Sequence, residues 1–294
     1  MMADELMTTI NIVGAGRVGR TLAALWQQHG VFTIGAVGNR TVDSAREAVA
    51  FIGAGTVAGV LAGMPAADAW LLATPDRDIA RVAASLGASG LLRANDVVFH
   101  CSGALASDVL RDTLSTAVAV ASVHPLKTFA DPRAAMRSFA GTFCAAEGDS
   151  AALHLLLPAF ERIGARVSTI DTSAKTLYHA ASVMVCNALT ALMEAGLQCY
   201  GKAGFSRDTA GAMMEPLVRE TVDNVFSLGT VRALTGPIAR GDHEVVARQL
   251  AALQLSEPDL AAVYRALGRV AVALSAVQGG TDETALAQLR RILA

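Results

Sequence analysis

Three glycines, Gly14, Gly16 and Gly19, stand in the stretch INIVGAGRVGRTLA, between an apolar run and a helical one. That spacing suits a dinucleotide pyrophosphate: Gly14 makes the tight turn, Gly16 lets the backbone approach the phosphates, and Gly19 lets the helix pack close to the strand. Ala15, Arg17 and Val18 complete the loop, and the helix start offers free N–H groups and a positive dipole end. About 20 residues further on, an NAD site would place Asp or Glu on the ribose hydroxyls. This chain has Asn39, Arg40 and Thr41 there. A carboxylate would repel an adenosine 2′-phosphate, whereas an arginine binds it through charge-assisted, bidentate hydrogen bonds, and Asn39 and Thr41 can add donors. The triplet therefore predicts selection of NADP(H). A plainer reading is a turn in which Thr41 caps the helix VDSAREAVAF and Arg40 is solvated; the two are compatible.

Further candidates follow strand-like runs. In LLATPDRDIA, Thr74 is a plausible cap and Pro75 the first helical residue, with acids in the first turn. In HCSGA, Ser102 and Gly103 are small enough to let a nicotinamide come close. Ligands of open α/β sheets lie outside the carboxyl ends of strands, which places both segments beside the cofactor. His124, in SVHPLKTF, also follows a strand and is either a satisfied structural histidine or a catalyst. The stretch SAKTLYHAASVMVCNALTALME sets Lys175 and His179 on one helix face, about 40° apart. Asn187 stands about 80° from His179, on a neighbouring flank. These polar groups either pair with adjacent helices or face a substrate, where they could stabilise or protonate a nascent alkoxide.

The elements that would carry these residues are legible in outline. Strand-like runs at 9–13, 32–37, 69–73, 97–101, 118–123, 141–146 and 166–170 alternate with helical stretches at 17–29, 42–51, 76–87 and 150–163. This is the α/β pattern of a doubly wound, mostly parallel Rossmann sheet. After Asp171 only helices follow, near 173–201, 207–227, 243–254, 257–277 and 282–293. The expected division is a dinucleotide-binding domain over 1–170 and an all-α domain over 171–294, with Asp242 capping a helix and Arg240 available to a substrate carboxylate or a partner subunit.

Composition excludes several classes. A net charge of −2 over 294 residues gives no basic field for nucleic acid or anionic lipid. Cys101, Cys144, Cys186 and Cys199 form no CxxC pair, so neither a disulfide framework nor a metal site is indicated. The stretch HAASVMVCNALTALMEAGLQC is interrupted by Asn187 and Glu194 within the ~20 residues a span requires, and is read as a buried helix of a soluble protein without a membrane partner. The start MMADELMTTINIV lacks a basic segment before its apolar block, so no secretory leader is expected and the cytoplasm is the expected location.

The motifs GAGRVG with NRT, ATPD, HCSG, HPLKTF, YHAASVMVCN and LTGPIARGD together resemble the Rossmann-like NADP oxidoreductases whose C-terminal helical domain is catalogued as a domain of unknown function. That family is similar to 6-phosphogluconate dehydrogenase-like enzymes, including ketopantoate, pyrroline-5-carboxylate and β-hydroxyacid reductases. The resemblance covers nearly the whole chain and implies that Lys175, His179 and Asn187 meet the substrate, with His124 beside them. Lys175 is followed four residues later by His179, which departs from the Lys-x-x-x-Asn arrangement of the β-hydroxyacid enzymes and leaves the proton donor open. The implied function is NADPH-dependent reduction of a small 2-oxo acid or related carbonyl, ketopantoate-like, by a homodimer. The alternatives are an imine reductase of the pyrroline-5-carboxylate reductase type and a non-catalytic NADP(H)-sensing protein.

Overall fold

The computed structural model describes residues 8–59, 61 and 63–294. Residues 1–7, on which the expectation about a leader rests, lie outside the described residues. The chain divides into two compact units, Met1–Val185 and Cys186–Ala294.

The first unit begins with β1 (Thr9–Val13), α1 (Arg17–Gln28), β2 (Thr33–Gly38), α2 (Val42–Ile52) and β3 (Thr56–Ala58). Then come β4 (Ala69–Leu72), α3 (Asp76–Ala88), β5 (Val97–His100), α4 (Asp108–Arg111) and β6 (Ala119–Pro125). It closes with α5 (Pro132–Arg137), β7 (Phe143–Gly148), α6 (Ser150–Glu161), β8 (Arg166–Thr169), a 3-10 turn at Thr172–Ala174 and the first turns of α7 (Lys175–Lys202). The strands form one sheet in the order β3-β2-β1-β4-β5-β6-β7-β8. Every neighbouring pair is parallel except β6 and β7. From the adjacent β1 and β4 the strand order runs outward in opposite directions, and a crevice opens at such a switch point.

Both faces of the sheet are covered, which is why β4 and β5 are apolar almost throughout rather than alternating. On one face Trp26 meets Phe32, Phe99 and Phe160 edge-on, and its indole N–H donates to the Ala159 carbonyl at 3.1 Å. On the other, Trp70, Leu72, Ile79, Leu86 and Val98 form a second cluster. The register of β1 against β2 shifts between Ile10 and Ile12. There the buried Asn11 amide accepts from the Ala36 N–H at 2.7 Å and donates to the Pro65 carbonyl at 2.8 Å, so the irregular ladder leaves neither group unpaired.

The strand β3 and the short helices α4 and α5 were not expected from sequence. They span three, four and six residues, too few to show a period. A second correction concerns α3: Pro75 itself occupies the cap position and the helix starts at Asp76, so Thr74 is not the cap.

The second unit holds the rest of α7 with α8 (Arg207–Leu228), α9 (Thr230–Ala233), α10 (Gly236–Ala239), α11 (His243–Ser256), α12 (Pro258–Gln278) and α13 (Glu283–Ile292). Asp242 caps α11 by accepting from the Val245 N–H. The core is small, built on Val246, Val272, Leu286, Leu289 and Leu293. Beside it lies an open cavity of about 590 Å³ walled by apolar side chains such as Leu192, Met193, Met214, Val218 and Leu267.

The reading of α7 as a buried helix is overturned. Its only buried residue is Lys175, and none of its most apolar 18-residue window is buried. Hydropathy reports how apolar the side chains are, not whether the chain has elements to cover them. By length and composition, Thr172–Lys202 and Pro258–Gln278 would suffice to cross a membrane, a test that helices of soluble proteins also pass. The strand signals stop near 170, whereas compactness divides the chain at Val185, because the first turns of α7 hydrogen-bond to the carboxyl end of β6.

Candidate active site

The loop between β1 and α1 has the geometry its glycines require. Gly14 has φ +88° and donates its N–H to the Gly38 carbonyl at 2.8 Å. A Cβ on Gly14 would stand 2.7 Å from Thr74 Cγ2, and one on Gly19 would stand 2.9 Å from Ala73 Cβ. Around Gly16 there is open space: nothing lies within 4 Å of the position its Cβ would take. Ala15 is buried, Val18 packs against the core and Arg17 is exposed. The first turn of α1 holds no acid and no side-chain cap, so its N–H groups face the open loop. Beside Gly14 the Thr74 hydroxyl is buried without a hydrogen-bond partner. An uncapped helix start, a loop with room for phosphate and an orphaned hydroxyl fit a dinucleotide.

At the end of β2, Asn39 is buried and its amide nitrogen donates to the Ser44 carbonyl and hydroxyl, both at 2.9 Å. Its two amide hydrogens are thus spent on the turn. Thr41 caps α2, accepting from the Ser44 N–H at 3.2 Å, and keeps its hydroxyl hydrogen free to donate. Arg40 is exposed and has no ion-pair partner among the described residues. Its charge reaches Asp78 on α3, whose carboxyl is held below its usual range by Arg81 first and by Arg77 and Arg40 after it.

The carboxyl ends of β5 and β6 carry a second cluster. Burial pulls the His100 imidazole down to about 4; its Nδ1 accepts from the Ser102 N–H at 3.2 Å and its Nε2 lies 3.3 Å from the Ala106 carbonyl, an assignment to structure rather than chemistry. The Ser102 hydroxyl donates to Asp76 at 2.8 Å, tying the loop after β5 to the start of α3. The Ser102 carbonyl accepts from the Ser122 hydroxyl at 3.3 Å, which in turn accepts from Lys175 Nζ at 2.8 Å. Lys175 is 1% exposed; burial lowers its pKa, while Glu147, Cys101 and Asp76 favour the charged form.

Above this chain two imidazoles converge. A Cβ on Gly103 would lie 2.6 Å from His179 Nδ1 and 2.8 Å from His124 Nε2. The two rings meet edge to face with centroids 6.0 Å apart. His124 Nδ1 lies 3.1 Å from the Tyr178 hydroxyl. Burial, with Lys175 and His179 nearby, pulls His124 down to about 4, so it is neutral near pH 7. His179 Nδ1 is buried without a partner. The donor-rich arrangement can hold and protonate a developing oxyanion.

Of the residues singled out by sequence, Ser102, Gly103, His124, Lys175 and His179 are brought together here. Asn187 belongs to the second unit, where it is exposed. Tyr178, Ser122, Asp76 and Glu147 were missed. Tyr178 could have been found, since it is three residues after Lys175 and so on the same face. Glu147 is buried on β7 and accepts from the Ser107 N–H and hydroxyl and from the Thr172 hydroxyl, at 2.9, 2.6 and 3.0 Å. Its only sequence signal is a lone acid at the end of an apolar strand.

Residues 4–125 match the model of a Rossmann-like domain, and residues 142–271 match that of a domain of unknown function, DUF2520. The two matches lie side by side and leave residues 126–141 between them. Gly103, Ser122 and His124 fall in the Rossmann-like match, while Glu147, Lys175, Tyr178 and His179 fall in the DUF2520 match, so the cluster draws on both. The search of curated proteins found no match. Among solved structures, it is similar to protein TM1727 from Thermotoga maritima, at 24% identity over 92% of this chain and 99% of that one, with a TM-score of 0.74. It is similar to BF3122 from Bacteroides fragilis, a candidate NADP oxidoreductase, at 24% identity over 90% and 98% of the two chains, with a TM-score of 0.68. An imine reductase from a Pseudomonas species aligns at 18% identity over 98% and 100%, with a TM-score of 0.62. At these identities the likeness establishes a shared fold.

Proposed function

We propose that the protein is an NADP(H)-dependent oxidoreductase that reduces a small carbonyl compound, with a 2-oxo acid of the ketopantoate kind as the first substrate. The observation that carries this reading is the convergence of His124 and His179 over Gly103, at strand ends of the sheet whose first loop has dinucleotide-binding geometry. The similar structures include a candidate NADP oxidoreductase and an imine reductase, which supports redox chemistry on this fold. Bound NADPH would supply the hydride. Gly14 to Gly19 and the Thr74 hydroxyl would hold its pyrophosphate and ribose side, and Arg40, with the Thr41 hydroxyl, would hold its 2′-phosphate. Pro75, Ser102 and Gly103 would line the nicotinamide end. His124 and His179 would hold the substrate oxygen, and Lys175, through Ser122, would place positive charge behind it. Asn187 remains a candidate for the substrate's far end.

An iminium substrate would call for a free carboxylate, and the nearby acids are already engaged: Asp76 by Ser102, Glu147 by Ser107 and Thr172. A donor-rich site with a buried lysine suits a carbonyl better. We assign residues 1–170 to NADP binding and 171–294 to substrate binding and dimerisation in a soluble cytoplasmic homodimer, since the apolar faces of α7 and the second unit lack a cover among the described residues.

The test is NADPH oxidation with ketopantoate and, in parallel, 1-pyrroline-5-carboxylate, combined with calorimetry of both reduced cofactors. Ketopantoate should be turned over in preference to the imine. Arg40→Ala should weaken NADPH roughly tenfold to a hundredfold, the value of hydrogen bonds to a charged group, and leave NADH unchanged. Equal losses for the two cofactors would remove Arg40 from the selector role, and failure to bind either would overturn the reading.

A further inference from the structure

Tyr178 makes one polar contact among the described residues, to His124 Nδ1 at 3.1 Å. Burial pushes its phenol up to about 12, so the hydroxyl keeps its hydrogen near neutral pH, and His124 Nδ1 is its acceptor among the described residues. A neutral imidazole offers one bare nitrogen, and Nδ1 is the one within reach. With the phenol donating to Nδ1, the proton of His124 sits on Nε2, the nitrogen that faces Gly103. If Nδ1 carried the proton instead, the phenolic oxygen would accept from it and the phenolic hydrogen would turn to solvent, giving up its protein acceptor. Lys175 Nζ stands 5.9 Å from the centre of the phenol ring. Lys175, Tyr178 and His124 thus adjoin one another in turn, and His124 adjoins Gly103.

We propose that Tyr178 is a positioning residue that fixes His124 as the Nε2–H tautomer and resupplies its proton, making the pair a relay that ends at the substrate oxygen. This rests on the carbonyl-reductase reading given above. When the carbonyl carbon accepts hydride, its π electron pair moves to oxygen and takes the Nε2 proton; the Tyr178 proton passes to Nδ1 as the O–H bond breaks. The imidazole stays neutral, with its hydrogen on the other nitrogen. The tyrosinate then takes the Nδ1 proton back while solvent delivers a proton to Nε2, which restores the original tautomer. His124 is the catalytic proton donor in this scheme, with His179 holding the same oxygen, and Tyr178 acts through His124.

Nitrogen-15 NMR of the unliganded full-length protein tests the assignment, with His124 identified from the spectrum of His124→Gln. The wild-type His124 should show a protonated Nε2 and a bare Nδ1. Tyr178→Phe, which keeps the ring and its packing, should shift His124 to a mixture of both tautomers. The same variant should lower kcat for ketopantoate about tenfold or more, with NADPH affinity within twofold of wild type. A protonated Nδ1 in the wild type, or a His124 pattern unmoved by Tyr178→Phe, would overturn the relay. Because the NMR arm needs no substrate, its outcome is independent of whether ketopantoate is the right probe: a bare Nδ1 with no turnover would leave the relay standing and sink the substrate assignment.

Discussion

Gly14→Ala should leave a less stable protein that no longer takes up NADPH at concentrations saturating the wild type. The backbone at Gly14 has φ +88°, a conformation that costs an alanine about 1 kcal/mol or more. The new methyl group would also stand 2.8 Å from the Thr74 backbone nitrogen, which lies just past the end of β4. A flexible side chain could yield at that distance, but a backbone held by the Ala73-to-Val13 bond yields little. Strain and overpacking together should cost roughly 2–5 kcal/mol, read from denaturant midpoints. The loop that remains would be displaced from the helix start, and NADPH affinity measured by calorimetry should fall more than a hundredfold. A variant that binds NADPH within threefold of wild type would show that the loop is not the pyrophosphate site.

Gly103→Ala has the opposite balance. Gly103 is not among the residues of positive φ, so the backbone accepts alanine without strain. The methyl group instead collides with catalytic atoms: 2.6 Å from His179 Nδ1 and 2.8 Å from His124 Nε2, each about an ångström inside ordinary contact. Both rings have to move, and with them the point at which their nitrogens meet. A misplacement of that size costs on the order of a hundredfold in rate. Steady-state kinetics should therefore show a kcat on ketopantoate reduced about a hundredfold, while the denaturation midpoint changes little. An unchanged kcat would place the chemistry elsewhere.

How much of this was legible without coordinates depended on how local each requirement is. The loop glycines answer to constraints within a few residues, so their spacing reads directly. Lys175 and His179 share a helix face, and helical spacing alone pairs them. Thr41 as a cap and the doubly wound sheet follow from equally local signals. Tyr178 was passed over because an aromatic residue on an apolar helix reads as core, and only the position of His124, 54 residues earlier, gives it a partner. The Asp76–Ser102 and Glu147–Ser107 bonds join residues 26 and 40 positions apart, and no periodicity carries such pairs. The exposure of α7 was illegible for a different reason: its apolar residues are genuine, but among the described residues no other segment shields them.

The empty space around Gly16 separates two demands that are fused at its neighbours. Folding closes the door on any side chain at positions 14 and 19, whereas at 16 the protein itself raises no objection, and only an arriving phosphate would. A modest residue there should yield a molecule with native heat resistance and no capacity for cofactor. Such a permanently vacant form is the natural reference against which ligand-induced ordering of the site can be measured.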